Sequence, residues 1–133
     1  MKKRLLSLVM AALVLFVFNI SVCAEGAVQP RYTYVNTIAA RLTVQSGNAV
    51  STGVVTANSS VTSVKVTLKL QKKGILKWNT VTTWTDYVID NDAEMEYRYG
   101  PLDSGKYRVI FEATVYAGSS SETVSATSST VTV

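Results

Sequence analysis

The sequence predicts an all-β fold, a single seven-stranded antiparallel β-sandwich. Three observations carry this. Apolar residues recur at every second position in one segment after another, short clusters of Gly, Ser, Asn and Asp separate those segments, and no helical period runs beyond the first two dozen residues. Ser and Thr make up roughly a quarter of the residues after position 24, and the apolar ones are mainly Val, Ala and Tyr. That mixture suits pleated strands with β-branched side chains on one face and hydroxyls in water.

The elements follow in order. Glu25 to about Tyr34 holds Gly26 and Pro30 with no sustained period and reads as a lead-in or linker. From Ile38 the chain alternates, with Ile38, Ala40, Leu42 and Val44 against Ala39, Arg41, Thr43 and Gln45, until Ser46-Gly47-Asn48 turns it. Ala49 to Ala57 makes a second strand whose faces are hard to rank, since Val50 and Val54 oppose Gly53 and Val55. After Asn58-Ser59-Ser60 comes the clearest alternation, with Val64, Val66, Leu68 and Leu70 inward and Lys65, Thr67, Lys69 and Gln71 outward. Lys72-Lys73-Gly74 closes a hairpin into a fourth strand, about Leu76 to Thr85, which places Leu76, Trp78, Thr80, Thr82 and Trp84 on one parity and Lys77, Asn79, Val81 and Thr83 on the other. An acidic connection from Asp86 to Asp92 leads to a fifth strand in which Met95, Tyr97 and Tyr99 alternate with Glu94, Glu96 and Arg98. Beyond the breaker Gly100 to Gly105, the residues Tyr107, Val109, Phe111, Ala113 and Val115 mark the core strand. The last strand, Thr123 to Val133, switches parity between Ala126 and Val131, which implies a bulge near Ser128-Ser129.

The segment Leu102-Asp103-Ser104-Gly105-Lys106-Tyr107 resembles the loop into strand F of immunoglobulin and fibronectin type III-like domains. The resemblance implies a structural tyrosine corner at Tyr107, its hydroxyl bonded back to the upstream loop. Other fragments resemble a family of small secreted Gram-positive bacterial proteins of unknown function. They are Leu68 to Lys73, Trp78 to Trp84, Gly105 to Val109, and Glu122-Thr123 with Ser128 beyond. That likeness implies a secreted single-domain β-sandwich and transfers no functional residue.

The N-terminus assigns a compartment. Lys2, Lys3 and Arg4 open a basic region, an apolar run extends from Leu5 to Ile20, and Val22-Cys23-Ala24 offers small residues for cleavage before Glu25. The run is shorter than the roughly 20 residues that span a bilayer. Residues 1–24 therefore read as a signal peptide, 25–34 as a lead-in and 35–133 as the sandwich. The protein is expected to be secreted into the extracellular space, with lipid anchoring through Cys23 as a minor alternative. The remaining 109 residues (133 minus 24) suffice for one core without disulfides.

Charge and residue types then exclude chemistries. Three of the 13 cations lie in the signal segment and all 9 acids beyond it, leaving ten minus nine, or +1. A near-neutral domain argues against nucleic acid as a partner. The chain has no His and its one Cys leaves with the signal, so Ser-His-Asp, Cys-His and common zinc sites are out of reach. No catalytic residue, cofactor or metal is expected, and the protein is read as a non-enzyme. Asp90, Asp92, Glu94 and Glu96 are close in sequence, but Glu94 and Glu96 fall on a solvated parity, and Asp86, Asp90, Asn91 and Asp92 lack calcium-loop spacing.

The candidate contact residues are two groups. Lys65, Lys69, Lys72, Lys73 and Lys77 gather on one hairpin and suit an anionic partner, unless they only protect an outer strand from sheet-to-sheet pairing. Trp78 and Trp84 share a parity and form a sugar-stacking platform if both are exposed, or core if buried. The expected function is that of a secreted, monomeric, non-catalytic module contacting an extracellular protein or glycan, without stable membrane insertion after signal cleavage. The alternatives are a toxin or bacteriocin-like factor acting on a target envelope, and a carbohydrate-active protein.

Overall fold

The computed structural model describes residues 32–133, all of them in strands and connections, so the expected signal segment, residues 1–24 with Cys23, lies outside the described residues. Tyr32–Val133 is a compact unit holding every described strand and the core, and so carries what it needs to fold by itself. The strands are β1 (Val35–Gln45), β2 (Asn48–Ala57), β3 (Ser63–Lys73), β4 (Trp78–Val88), β5 (Asp92–Tyr99), β6 (Lys106–Ala117), β7 (Ser120–Thr127) and β8 (Val131–Thr132). One sheet has the order β1-β2-β5 and the other β4-β3-β6-β7, with β8 also paired to β6. Every pairing is antiparallel.

The expected seventh strand is thus two pieces, and the described chain has eight strands. The parity switch was legible in the sequence, and its cause is Ser128. Its Oγ accepts the Val109 N–H and its own N–H donates to the Val109 carbonyl, both at 2.8 Å, so the ladder on β6 continues where the strand itself breaks. Between β1 and β2 the loop has only two residues, Ser46 (φ 51°) and Gly47 (φ 80°), the left-handed pair that matches the twist of a tight hairpin.

The inner faces come from strict alternation. Val64, Val66, Leu68 and Leu70 of β3 pair with Val115, Ala113, Phe111 and Val109 of β6, and all eight are 0% exposed. In β2 the inner face is Ala49, Ser51, Gly53, Val55 and Ala57, which resolves the ambiguity left by its sequence. Small residues stand there because the Phe111 ring lies directly across, and a Cβ at Gly53 would overlap it. Val50, on the other parity, is nonetheless buried on the outer face, between Thr43 of β1 and Arg98 of β5.

Ser51 is the exception in this interior. It is fully buried and its Oγ has no hydrogen-bond partner. A hydroxyl taken from water without compensation costs on the order of 1–3 kcal/mol, so Ser51→Ala should raise folding stability by about 1 kcal/mol. Chemical denaturation measures this, and a lower midpoint for the alanine variant would refute it.

Tyr107 is 2% exposed, and its hydroxyl donates to the Asp103 carbonyl four residues upstream at 2.9 Å, which clamps the β5–β6 loop onto the strand it feeds. At the other end of the molecule Glu122 performs a similar task for the lead-in. Its carboxylate accepts the N–H groups of Thr33 (2.7 Å), Tyr34 (3.1 Å) and Val35 (3.1 Å), tying the entrance of β1 to β7. Partial burial pushes the Glu122 carboxyl upward, but the three backbone donors outweigh it and hold it below the ordinary carboxylate value. A depressed carboxyl stabilises the fold above the unfolded pKa, and that contribution is lost as pH falls through the folded value. Protection of the three amides from hydrogen exchange should therefore weaken on acidification below about pH 4.5. Glu122→Gln should show weak protection at every pH, and an acid-induced loss identical to the wild type would contradict this assignment.

Candidate functional site

The β3–β4 hairpin projects from one end of the sandwich, where the chain runs Lys72-Lys73-Gly74-Ile75-Leu76-Lys77. The strands extend through Lys73 and resume at Trp78, so the turn is Gly74–Lys77 rather than Lys72-Lys73-Gly74, closed by the Gly74 N–H on the Lys77 carbonyl at 2.8 Å. Ile75 and Leu76 fall outside both strands. They are 101% and 96% exposed, with no part of the described chain covering them.

Register decides what surrounds this tip. Tyr107 of β6 pairs with Lys72, and β8 pairs with the first residues of β6. The β5–β6 loop meets the β1–β2 turn through the Leu102 N–H on the Gly47 carbonyl, 2.9 Å. The same end therefore gathers Lys72, Lys73, Lys77, Arg98, Lys106 and Arg108, with Asp103 as the acid among them. The opposite end gathers Asp86, Asp90, Asp92, Glu94 and Glu122 around a single described lysine, Lys65. A strand of 11 residues spans about 36 Å, several times the screening length of about 8 Å at physiological salt. Each end accordingly presents its own sign of charge, although the totals nearly cancel.

The five lysines predicted as one group are divided by this geometry. Lys65, Lys69 and Lys73 lie on the outer face of β3, Lys65 and Lys73 at opposite ends of it. Lys72 points the other way, and its ammonium sits 5.7 Å from the centre of the Tyr107 ring while its stem passes Gly105. Lys77 lies in the turn. Edge protection does not account for them, because β3 is an interior strand paired with both β4 and β6. The sheet's long free edge is β4. Arg98, Lys106 and Arg108 join the cluster unannounced by the sequence, since only the register of β6 on β3 and β5 on β2 brings them there.

The expected pair of tryptophans on one face is overturned. Leu70 pairs with Thr82 but Gln71 with Thr80, so Val81 is an extra residue bulging from β4. A one-residue bulge reverses the parity of everything beyond it. Trp84 pairs with inward Leu68, whereas Trp78 pairs with outward Lys73, and the two indoles lie on opposite faces of the sheet. Both are half-buried.

Their surroundings differ accordingly. Trp84 packs on the core and stacks on Tyr97 at 5.1 Å and 9°, and the Tyr97 hydroxyl donates to Asp86 Oδ2 at 2.7 Å. That bond to a carboxylate raises the Tyr97 phenol above its ordinary pKa. Since β4 and β5 are edges of different sheets, the trio closes one open side of the sandwich. Trp78 instead carries the Arg108 guanidinium 4.3 Å over its ring, and Arg108 is fixed by its Nε–H on Gln71 Oε1 at 2.9 Å. A single indole with a cation on its face stands directly behind the apolar tip.

The acidic connection is shorter than predicted, because Asp86, Tyr87 and Val88 belong to β4. Its polar groups bond the backbone. Asp92 Oδ1 accepts the Ala57 N–H at 3.2 Å, the Asn91 side-chain amide donates to the Ala57 carbonyl at 3.0 Å, and Asp90 Oδ1 accepts the Asn91 N–H at 2.7 Å. Among the described residues no three His, Cys, Asp or Glu side chains converge as a metal site would require. A shallow depression of about 330 Å³ lies on the outside of β2 and β5, lined by Val54, Val55, Thr56, Asp92, Ala93 and Glu94.

No protein-family model and no curated protein matches the chain. Among solved structures it is similar to wild-type OgpA from Akkermansia muciniphila, with a TM-score of 0.42 and 8% identity over 79% of this chain and 32% of that one. It is also similar to CsgH of R. palustris, with a TM-score of 0.31 and 18% identity over 68% of this chain and 90% of that one. The chain thus spans about a third of the length of OgpA. Neither likeness assigns a residue here.

Proposed function

We propose that this protein is an exported, non-catalytic β-sandwich of the immunoglobulin/fibronectin type III-like kind that works by contact, through its hairpin end, with a surface outside the cell. Kinship with the small secreted Gram-positive proteins is part of this reading. Export is supported by the basic and apolar N-terminal pattern, and the lack of catalysis by a chain with no imidazole. One observation carries the contact itself: two adjacent aliphatic side chains held fully in water, at the end of the sandwich that gathers six cations. Scattered apolar residues on a surface are ordinary, as Ile89 is beside Asp90 at the opposite end. Two together at the apex of a hairpin are a binding feature.

Labelled 32–133 domain should be retained on intact cells of the producing strain. A variant with both Ile75→Ser and Leu76→Ser should be retained about tenfold less, at an unchanged thermal midpoint. Equal retention of the two would remove the reading. The toxin-like alternative draws on the same tip, and it predicts growth inhibition of neighbouring strains by the wild type but not by this variant. The carbohydrate-active alternative has lost its double-indole platform and draws on Trp78 and Trp84 only as separate residues.

A further inference from the structure

We propose that the hairpin end docks the sandwich peripherally and reversibly on an anionic lipid bilayer, Ile75 and Leu76 entering the boundary between headgroups and acyl chains. This rests on the contact reading above and names its partner.

The shape of the apolar surface favours lipid over a folded protein. A stable protein interface buries about 800 Å² on each side and is broadly flat. Here the fully exposed apolar area is two side chains at the apex of a turn of four residues, Gly74–Lys77, the other exposed apolar residues at this end, Tyr99 and Val133, being only about two-fifths uncovered. A narrow wedge of this kind suits a deformable phase, which closes around whatever enters it.

The charges are set at the right depth. Lys73 and Lys77 flank the apex, two residues before Ile75 and one after Leu76, and their long stems let the ammonium groups reach phosphates while the aliphatic pair sits deeper. Trp78 follows, half-buried and capped by Arg108, which puts an amphipathic ring at headgroup height. Lys72, Lys106 and Arg98 add to the field around them, and the acidic end points away from the membrane. The separation of charge therefore orients the molecule before contact as well as holding it afterwards. A soluble polyanion would engage the same cations but would leave Ile75 and Leu76 unused.

The test is co-sedimentation of the 32–133 domain with phosphatidylcholine vesicles, with and without about 30% phosphatidylglycerol. Binding should fall about tenfold or more when the anionic lipid is omitted. It should fall by a similar factor for the variant carrying Ile75→Ser and Leu76→Ser, and the Trp emission should shift to shorter wavelength on binding, a change lost in Trp78→Phe. Inorganic polyphosphate, as a lipid-free polyanion, should bind the double serine variant as well as the wild type. Vesicle binding that is indifferent to the serine substitutions, or equal with and without phosphatidylglycerol, overturns the proposal. If the domain ignores vesicles yet the serine variant still loses retention on cells, the lipid partner is wrong and a protein or glycan takes its place. If neither measurement depends on the tip, both readings fall.

Discussion

Phe111→Ala should destabilise the fold by about 3–5 kcal/mol, and Gly53→Ala by about 1–3 kcal/mol, while the double variant should cost clearly less than the two together. Phe111 is fully buried at the centre of β6, and its ring occupies the space that a side chain at position 53 of β2 would need. Removing the ring leaves a void that the two β-sheets cannot fully close. Adding a methyl at Gly53 instead forces the ring off its rotamer or the sheets apart. In the double variant the methyl enters space the ring has vacated, so the costs are coupled, by on the order of 1 kcal/mol for residues in direct contact. Denaturant titration of the four proteins in the cycle measures this. Additive costs would show that the ring does not sit against Gly53.

Trp84→Ala should cost about 2–4 kcal/mol, and Trp78→Ala no more than about 1 kcal/mol. Trp84 contributes inner-face area, a stacked contact with Tyr97 and the closure between β4 and β5, whereas Trp78 lies on the outer face beneath Arg108. The contrast follows from the bulge at Val81 and from nothing else in the strand, because Trp78 and Trp84 are six residues apart and without the bulge would share a face. Equal losses in thermal stability would place both rings on one face and contradict the register.

The fold class was legible because alternation is a local property. A side chain's face depends on its parity within a strand, and the rows Val64-Val66-Leu68-Leu70 and Tyr107-Val109-Phe111-Ala113-Val115 record it directly. The Tyr107 clamp came from the resemblance of Leu102 to Tyr107 to a strand-F loop, and its hydroxyl reaches only four residues back, to the Asp103 carbonyl. The strand ends were less legible. Asp86 looks like a loop residue, yet it lies within β4, which pairs with β3 as far as Val88, and there it accepts the Tyr97 hydroxyl from across the sandwich.

The contact surface was half visible. Lys72, Lys73 and Lys77 stand out as a basic hairpin, whereas Leu76 reads as a strand start and Ile75 draws no reading, because an apolar residue carries no mark of whether it is covered. Arg98, Lys106 and Arg108 come from other strands, and no sequence spacing links them to that hairpin.

Composition and periodicity alone determined that this is an all-β chain with one core and no histidine. Pairing between distant strands decided the rest. It divided the tryptophans between two faces through one inserted residue, moved the lysine strand from the edge to the interior, and drew a near-neutral set of charges into a basic end and an acidic end. Parity is carried by neighbours along the chain, whereas register is a long-range choice made by packing, and it is register that brings charges together or keeps them apart.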